Sequence, residues 1–354
     1  MNANFETSSD DDGSARVQRA MTPPHPTHRF LLLLRRELWE HKGGFVWAPL
    51  VTGGIIALLT LLGTITSSVL FQRAMRNGDV NWDGMEIDGL HGVEAARHAF
   101  GFAGDVTLLT GVGFTCAVLV FVVFFYALGS LYDERKDRSV LFWKSLPLSD
   151  TQTVLSKALW ALVLAPVVAI GVGLMVGIAL WLISAAAMVA NGIPGAGAIF
   201  SQSHPFRVLG HVLASIPVYA FWALPTVGWL MLCSAWARSK PFLWAVLVPV
   251  LGATLISWLG TLPGIEIPHD KVWYTLVVRG LLSIVPGSWY LNDSITAGAG
   301  DAVRINGPDD LAHAISLTSS WHAFGTVDLW IGAVAGAVMI YAAIQLRRRR
   351  ELAD

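Results

Sequence analysis

Residues Val106–Tyr132 read "VTLLTGVGFTCAVLVFVVFFYALGSLY", and Asp133–Arg138 follows at once as "DERKDR". The first stretch carries no charge, and the second carries nothing else. A helix needs about 20 apolar residues to cross a bilayer. Six consecutive charges cannot follow it into hydrocarbon, since each costs roughly 3 kcal/mol on the insertion scale. The junction therefore puts a membrane boundary close to Tyr132 and fixes the class as a helical membrane protein.

The same test, carried outward, finds five further stretches: Phe45–Phe71, Ala158–Ala190, His211–Trp236, Pro241–Leu262 and Leu329–Leu346. Composition agrees. The chain of 354 residues is 54% hydrophobic and only 14% charged, against roughly a quarter charged in ordinary soluble domains. Its 34 Gly and 15 Trp suit packed spans and interfacial anchors. The expected fold is all-α and polytopic, with six transmembrane helices over 28–346. Pro217 and Pro225 predict kinks in the fourth span. Only "ARSK" (Ala237–Lys240) separates the fourth from the fifth, which predicts a tight hairpin. "WYTLVVRGLLSIVP" (Trp273–Pro286) is too short to span and contains Arg279, so it reads as a re-entrant or interfacial helix.

Ahead of the first span, "HRFLLLLRRELWEHK" (His28–Lys42) gathers Phe30, Leu31, Leu34 and Leu38 on one helical face. This predicts an amphipathic interfacial helix, with Arg35, Arg36, Glu37 and Trp39 as its polar and anchoring residues. It serves either as a topology anchor or as a docking element. Residues 1–27 are polar, acidic and Pro-rich, and read as a disordered cytosolic tail without a secretory signal. Residues 347–354 read as a basic tail.

Orientation follows from Lys and Arg. With both tails cytosolic, 17 of them lie on the cytosolic side and 7 on the other. The expected location is the inner membrane with N- and C-termini cytosolic. The formal net charge of −1 carries little information beside that asymmetry. Cys116 and Cys233 lie in apolar runs, and neither a disulfide framework nor a zinc site follows from two cysteines.

Several function classes are excluded by what the chain lacks. None of the six lysines follows a glycine, so there is no P-loop to hold a nucleotide. HExxH and GxSxG are absent. No ionisable side chain lies in the middle of a predicted span, which argues against a proton-relay pump and against an intramembrane hydrolase. No catalytic, metal-binding or cofactor-binding residue is assigned, and nothing points to nucleic acid. Both GxxxG pairs, Gly173/Gly177 and Gly332/Gly336, read as intramolecular packing.

The charged run itself holds three acids and three bases. A plain topology signal would be mostly basic. After it come "VLFW" (Val140–Trp143) and then Pro147, which stops a helix, with Ser149 or Asp150 able to cap the next. A short cytosolic helix with balanced charge and exposed aromatics suits docking into a partner's groove.

The stretch "ERKDRSVLFWKSLPLSDTQTVLSKAL" (Glu134–Leu159) resembles the first cytosolic loop of ABC-2 type permeases, the membrane subunits of ATP-binding-cassette exporters. Glu134, Arg135, Ser145, Leu146, Pro147, Ser149 and Lys157 carry the resemblance. It implies a cytosolic coupling helix that sits on a separate ATPase subunit. The docking residues it implies are Glu134, Arg135, Lys136, Asp137, Arg138, Leu141, Phe142, Trp143, Ser145, Leu146 and Pro147. It also implies ATP and Mg on that partner, a second six-span permease completing a homo- or heterodimer, and efflux of a cargo from the cytosol or inner leaflet. The chain itself is then a transport subunit and not an enzyme. The alternative is a non-transporting scaffold or sensor docked to an ATPase.

Overall fold

The computed structural model describes residues 26–78, 89–137, 149–193, 195–262, 267–291 and 317–350. Within them it is helical, with no strand. In chain order the helices are α1 (Pro26–Lys42), α2 (Ala48–Asn77), α3 (Gly89–Gly129), α4 (Tyr132–Lys136), α5 (Asp150–Leu159), α6 (Ala165–Ala190) and α7 (Ala198–Gln202). Then come α8 (Pro205–Ala214), α9 (Ile216–Trp236), α10 (Pro241–Leu259), α11 (His269–Trp273), α12 (Leu317–His322) and α13 (Val327–Arg350). Six helical units are long and apolar enough to cross a membrane: Arg29–Asn77, Arg97–Lys136, Asp150–Ala190, Pro205–Trp236, Pro241–Leu259 and Val327–Arg349.

The spans are longer than the apolar stretches alone. α1 does not lie apart from the first span but runs into it through a kink at His41 and a π-helical turn, Gly43–Trp47. A second π turn, Trp160–Leu164, joins α5 to α6. Each is followed by a proline in the first turn of the next helix, Pro49 and Pro166. Proline offers no N–H to the preceding turn, so the i→i−4 ladder is interrupted there and a wider turn fills the gap. α3 alone has 41 residues, about 60 Å at the helical rise and roughly twice the hydrocarbon thickness. The segment expected as a loop between the first two spans is therefore largely helix, up to Asn77 and again from Gly89.

The fourth span breaks at Ser215, two residues before Pro217, whereas α9 continues through Pro225. The hairpin between α9 and α10 turns on Lys240, whose φ of 48° is left-handed. Trp229 Nε1 donates to the Ala245 carbonyl across it at 2.9 Å.

Glycine sets the closest helix contacts. Gly173 and Gly177 of α6 face Gly111 of α3, and Gly336 of α13 faces Gly228 of α9. A methyl at any of these positions would overlap backbone of the facing helix. Gly336→Val is thus expected to cost about 1–3 kcal/mol. A lowered thermal midpoint in detergent would register it. Gly63→Ala, where added bulk meets nothing within 4 Å, should leave the midpoint unchanged.

Burial is uneven. In the most apolar window, 56% of the third span and 61% of the fourth are buried, but only 17% of the first and of the fifth. Leu58, Leu59 and Leu62 on α2, and Leu251, Leu255 and Trp258 on α10, are exposed. Patches of that size need lipid or another protein to cover them.

The segment expected to be re-entrant or interfacial is α11, a π turn over Tyr274–Arg279, a bend through Gly287 (φ 85°) and a 3-10 turn at Ser288–Leu291. Arg279 pins it to the bundle. Its guanidinium stacks 3.6 Å from the centre of the Trp222 ring. It donates to the Trp222 carbonyl and lies 3.7 Å from an Asp328 carboxylate oxygen. Gly332 leaves the space it fills.

Candidate functional site

The ends of α1, α3, α5, α9 and α13 meet at one end of the bundle, and buried charge concentrates there. Glu37 (α1), Glu134 (α4), Lys157 (α5) and Arg347 (α13) are each 8% exposed or less. Lys157 Nζ lies 2.9 Å from Glu37 Oε1 and 3.2 Å from Glu134 Oε1. Arg347 Nη1 donates to Glu134 Oε2 at 2.8 Å, and its Nε to Asp150 Oδ1 at 3.2 Å. The Tyr126 hydroxyl donates to Glu37 Oε2 at 2.8 Å. Arg36 Nη2 stands 3.7 Å from Glu134. The four buried charges balance two against two. Balance is needed, because desolvating an ion costs several kcal/mol and only close, hydrogen-bonded partners offset it.

Local sequence builds the site. Ser149 caps α5, its Oγ accepting from the Gln152 N–H at 3.2 Å, as the sequence allowed. Asp150 and Thr151 follow at the start of the helix. Asp150 meets Arg347, and the Thr151 hydroxyl accepts from Arg348 at 2.9 Å. At the other root of the loop, Ser234 Oγ accepts from the Leu131 and Tyr132 N–H groups at 3.0 and 2.9 Å. Arg135 then donates to the Ser234 and Ala237 carbonyls. The Glu134–Arg135 pair is therefore split. Glu134 faces the charged cluster, and Arg135 ties the end of the second span to the end of the fourth.

The remaining residues assigned from sequence fall differently. Lys136 and Asp137 are exposed at the tip of α4. Arg138, Leu141, Phe142, Trp143, Ser145, Leu146 and Pro147 lie outside the described residues, as does the expected coupling helix. On α1, Arg35 is exposed, Arg36 pairs with Glu40 at 2.7 Å, and Trp39 is exposed beneath the Lys42 ammonium.

The buried face of α1 keeps Leu34 and Leu38 of the expected four against the core but is turned toward Leu33 and Glu37. Leu31 is 62% exposed, whereas Leu33 and Glu37 are buried. The Glu37 contacts to Lys157 and Tyr126, and the Trp160 bond to the Leu34 carbonyl, set that rotation. Arg347, read as part of a free basic tail, is helical and buried. Its clue was position, as the first of four arginines directly continuing an apolar helix.

Glu37, Glu40 and His41 offer three ligand atoms within 4.8 Å of one another. Glu37 is already neutralised by Lys157 and Glu40 by Arg36, so the chemistry of the group is that of ion pairs and not of a metal centre.

What the arrangement can do is mechanical. One arginine at the end of the sixth span holds both roots of the 138–148 loop, Glu134 and Asp150. Lys157 links the same carboxylate to α1. Through these ion pairs Glu134 and Asp150 are tied to the first, third and sixth spans. No protein-family model matches this chain, and no curated protein or solved structure shows significant similarity to it.

Proposed function

We propose that this chain is the permease subunit of an ABC exporter of the ABC-2 type. It would provide a six-span half of a transmembrane pathway and couple it to ATP hydrolysis on a separate subunit. The observation that carries the reading is the clamp of Arg347 on both roots of the loop. A loop rooted in that way transmits force, whereas a solvated connector needs no buried ion pairs. The chain has no P-loop of its own, so under this reading ATP and Mg would be held by a partner. The exposed apolar faces of the first and fifth spans leave surface for lipid and for a second six-span chain, identical or not. The Lys/Arg asymmetry supports a cytosolic orientation of the charged end, which this reading sets at the inner membrane.

The test is affinity purification of the tagged chain from native membranes in mild detergent, with mass spectrometry of what accompanies it. A stoichiometric P-loop ATPase is expected. Leu141→Ala/Phe142→Ala should remove it while membrane insertion is retained. Purification without an ATPase in several detergents would overturn the reading. A co-purifying ATPase in reconstituted vesicles that export nothing would favour the scaffold alternative.

A further inference from the structure

Beside the charged cluster, a groove of about 470 Å³ opens between the π turn of the first span and the end of α3. Its two ends differ in chemistry. At one lie Asp133, His41 and Glu40, the last already paired with Arg36, and at the other Phe45, Phe121 and Phe125. Phe121 and Phe125 are exposed. Asp133 presents an exposed carboxylate with no ion pair or hydrogen bond among the described residues. The rings of His41, Phe45 and Tyr126 meet edge-on or tilted, with centroids 4.8–6.0 Å apart, and form an aromatic wall below the acids. Gly43 forms part of the lining, and a side chain there would meet no protein atom within 4 Å.

We propose that this groove binds cationic amphiphiles, an ammonium head at the acidic end and an alkyl chain along the phenylalanines. An unpaired carboxylate beside aromatic faces attracts a cation by charge and by the ring quadrupole together. The volume lies in the range of sites for molecules of that size, roughly 300–1,000 Å³. The same acid repels sulfate- and phosphate-headed chains. Tyr126 lines the groove and donates to Glu37, so an occupant sits against a residue that belongs to the charged cluster. Its role as the place where cargo loads rests on the exporter reading; the binding itself does not.

The experiment uses the full chain in phosphatidylcholine nanodiscs without any ATPase. Two photo-crosslinking probes share one diazirine-bearing dodecyl chain and differ in the head, trimethylammonium or sulfate. The ammonium probe should label Glu40–Phe45 and the end of α3 about fivefold more than the sulfate probe. Asp133→Asn should remove most of that preference, and Gly43→Leu should abolish labelling by filling the groove. Equal labelling by both heads overturns the proposal, and so does ammonium labelling that survives Gly43→Leu; the groove then holds whatever acyl chain the bilayer offers. Should Gly43→Leu fail to insert, Asp133→Asn decides, and an unchanged preference overturns the proposal. The labelling needs no ATPase, so its failure leaves the exporter reading standing. An ATPase missing from the purification does the reverse.

Discussion

Replacing Lys157 by Met lowers the unfolding free energy by about 3–5 kcal/mol, the loss expected when a buried ion keeps its desolvation cost and loses its partner. Lys157 is 2% exposed and is the sole direct bridge between Glu37 and Glu134 among the described residues. Without it Glu37 retains the Tyr126 hydroxyl and His41. Glu134 still has Arg347 and Arg36. The stranded charge is therefore Glu37. Removing it as well, in Lys157→Met/Glu37→Leu, should recover most of the loss, because apolar replacement of a buried pair is often neutral. Unfolding curves of the two variants in mixed micelles measure both. A double variant as unstable as the single one would mean that the pair contributes by packing and not by charge.

The second large effect concerns transmission. Arg347→Gln keeps a polar side chain, but it is shorter, has two N–H donors against five, and lacks the charge that holds Glu134 and Asp150 together. With the partner ATPase bound, cargo-stimulated ATP turnover should fall about tenfold, equivalent to ~1.4 kcal/mol of coupling. Basal turnover and co-purification should persist, because Leu141 and Phe142 are untouched. The contrast with Leu141→Ala/Phe142→Ala, which should lose the partner altogether, separates docking from transmission. Cargo-stimulated turnover equal to wild type in Arg347→Gln would remove the clamp from the mechanism.

The large-scale features were legible because they depend on local quantities. Six apolar lengths give six long helices, Pro217 predicts an interruption that falls at Ser215, and Ser149 caps as a serine before Asp150 should. The glycines read as packing do pack within the chain, Gly173 and Gly177 at Gly111, Gly336 at Gly228, and Gly332 against the Arg279 side chain. The charged site was only half visible. Glu134 and Lys157 stood out by motif, yet Glu134 was read as facing a partner, and its carboxylate is bonded to Arg347, 213 residues away. No local pattern encodes a pairing over that distance. Glu37 was hidden for a related reason. On periodicity it belongs to the polar face of α1, and a cation on another helix reverses that preference. The π turns escaped notice because helical periodicity assumes a constant 100° step.

Those π turns have a consequence for insertions and deletions. Each wide turn holds one residue more than an α-helical turn, so it acts as a phase shifter between the helical segments it joins. Across Gly43–Trp47 the added residue lets Glu37 point inward while Leu58, Leu59 and Leu62 point outward. Regularising that turn to an α-helix without removing a residue would swing α1 by about 100° against α2, carrying Glu37 away from Lys157, whereas deleting the one extra residue would restore a regular helix with the phase kept. The wide turn and the residue count between Glu37 and Pro49 therefore belong together: a related chain one residue shorter there would keep its acid in place on a regular helix, and one of equal length would need the wide turn.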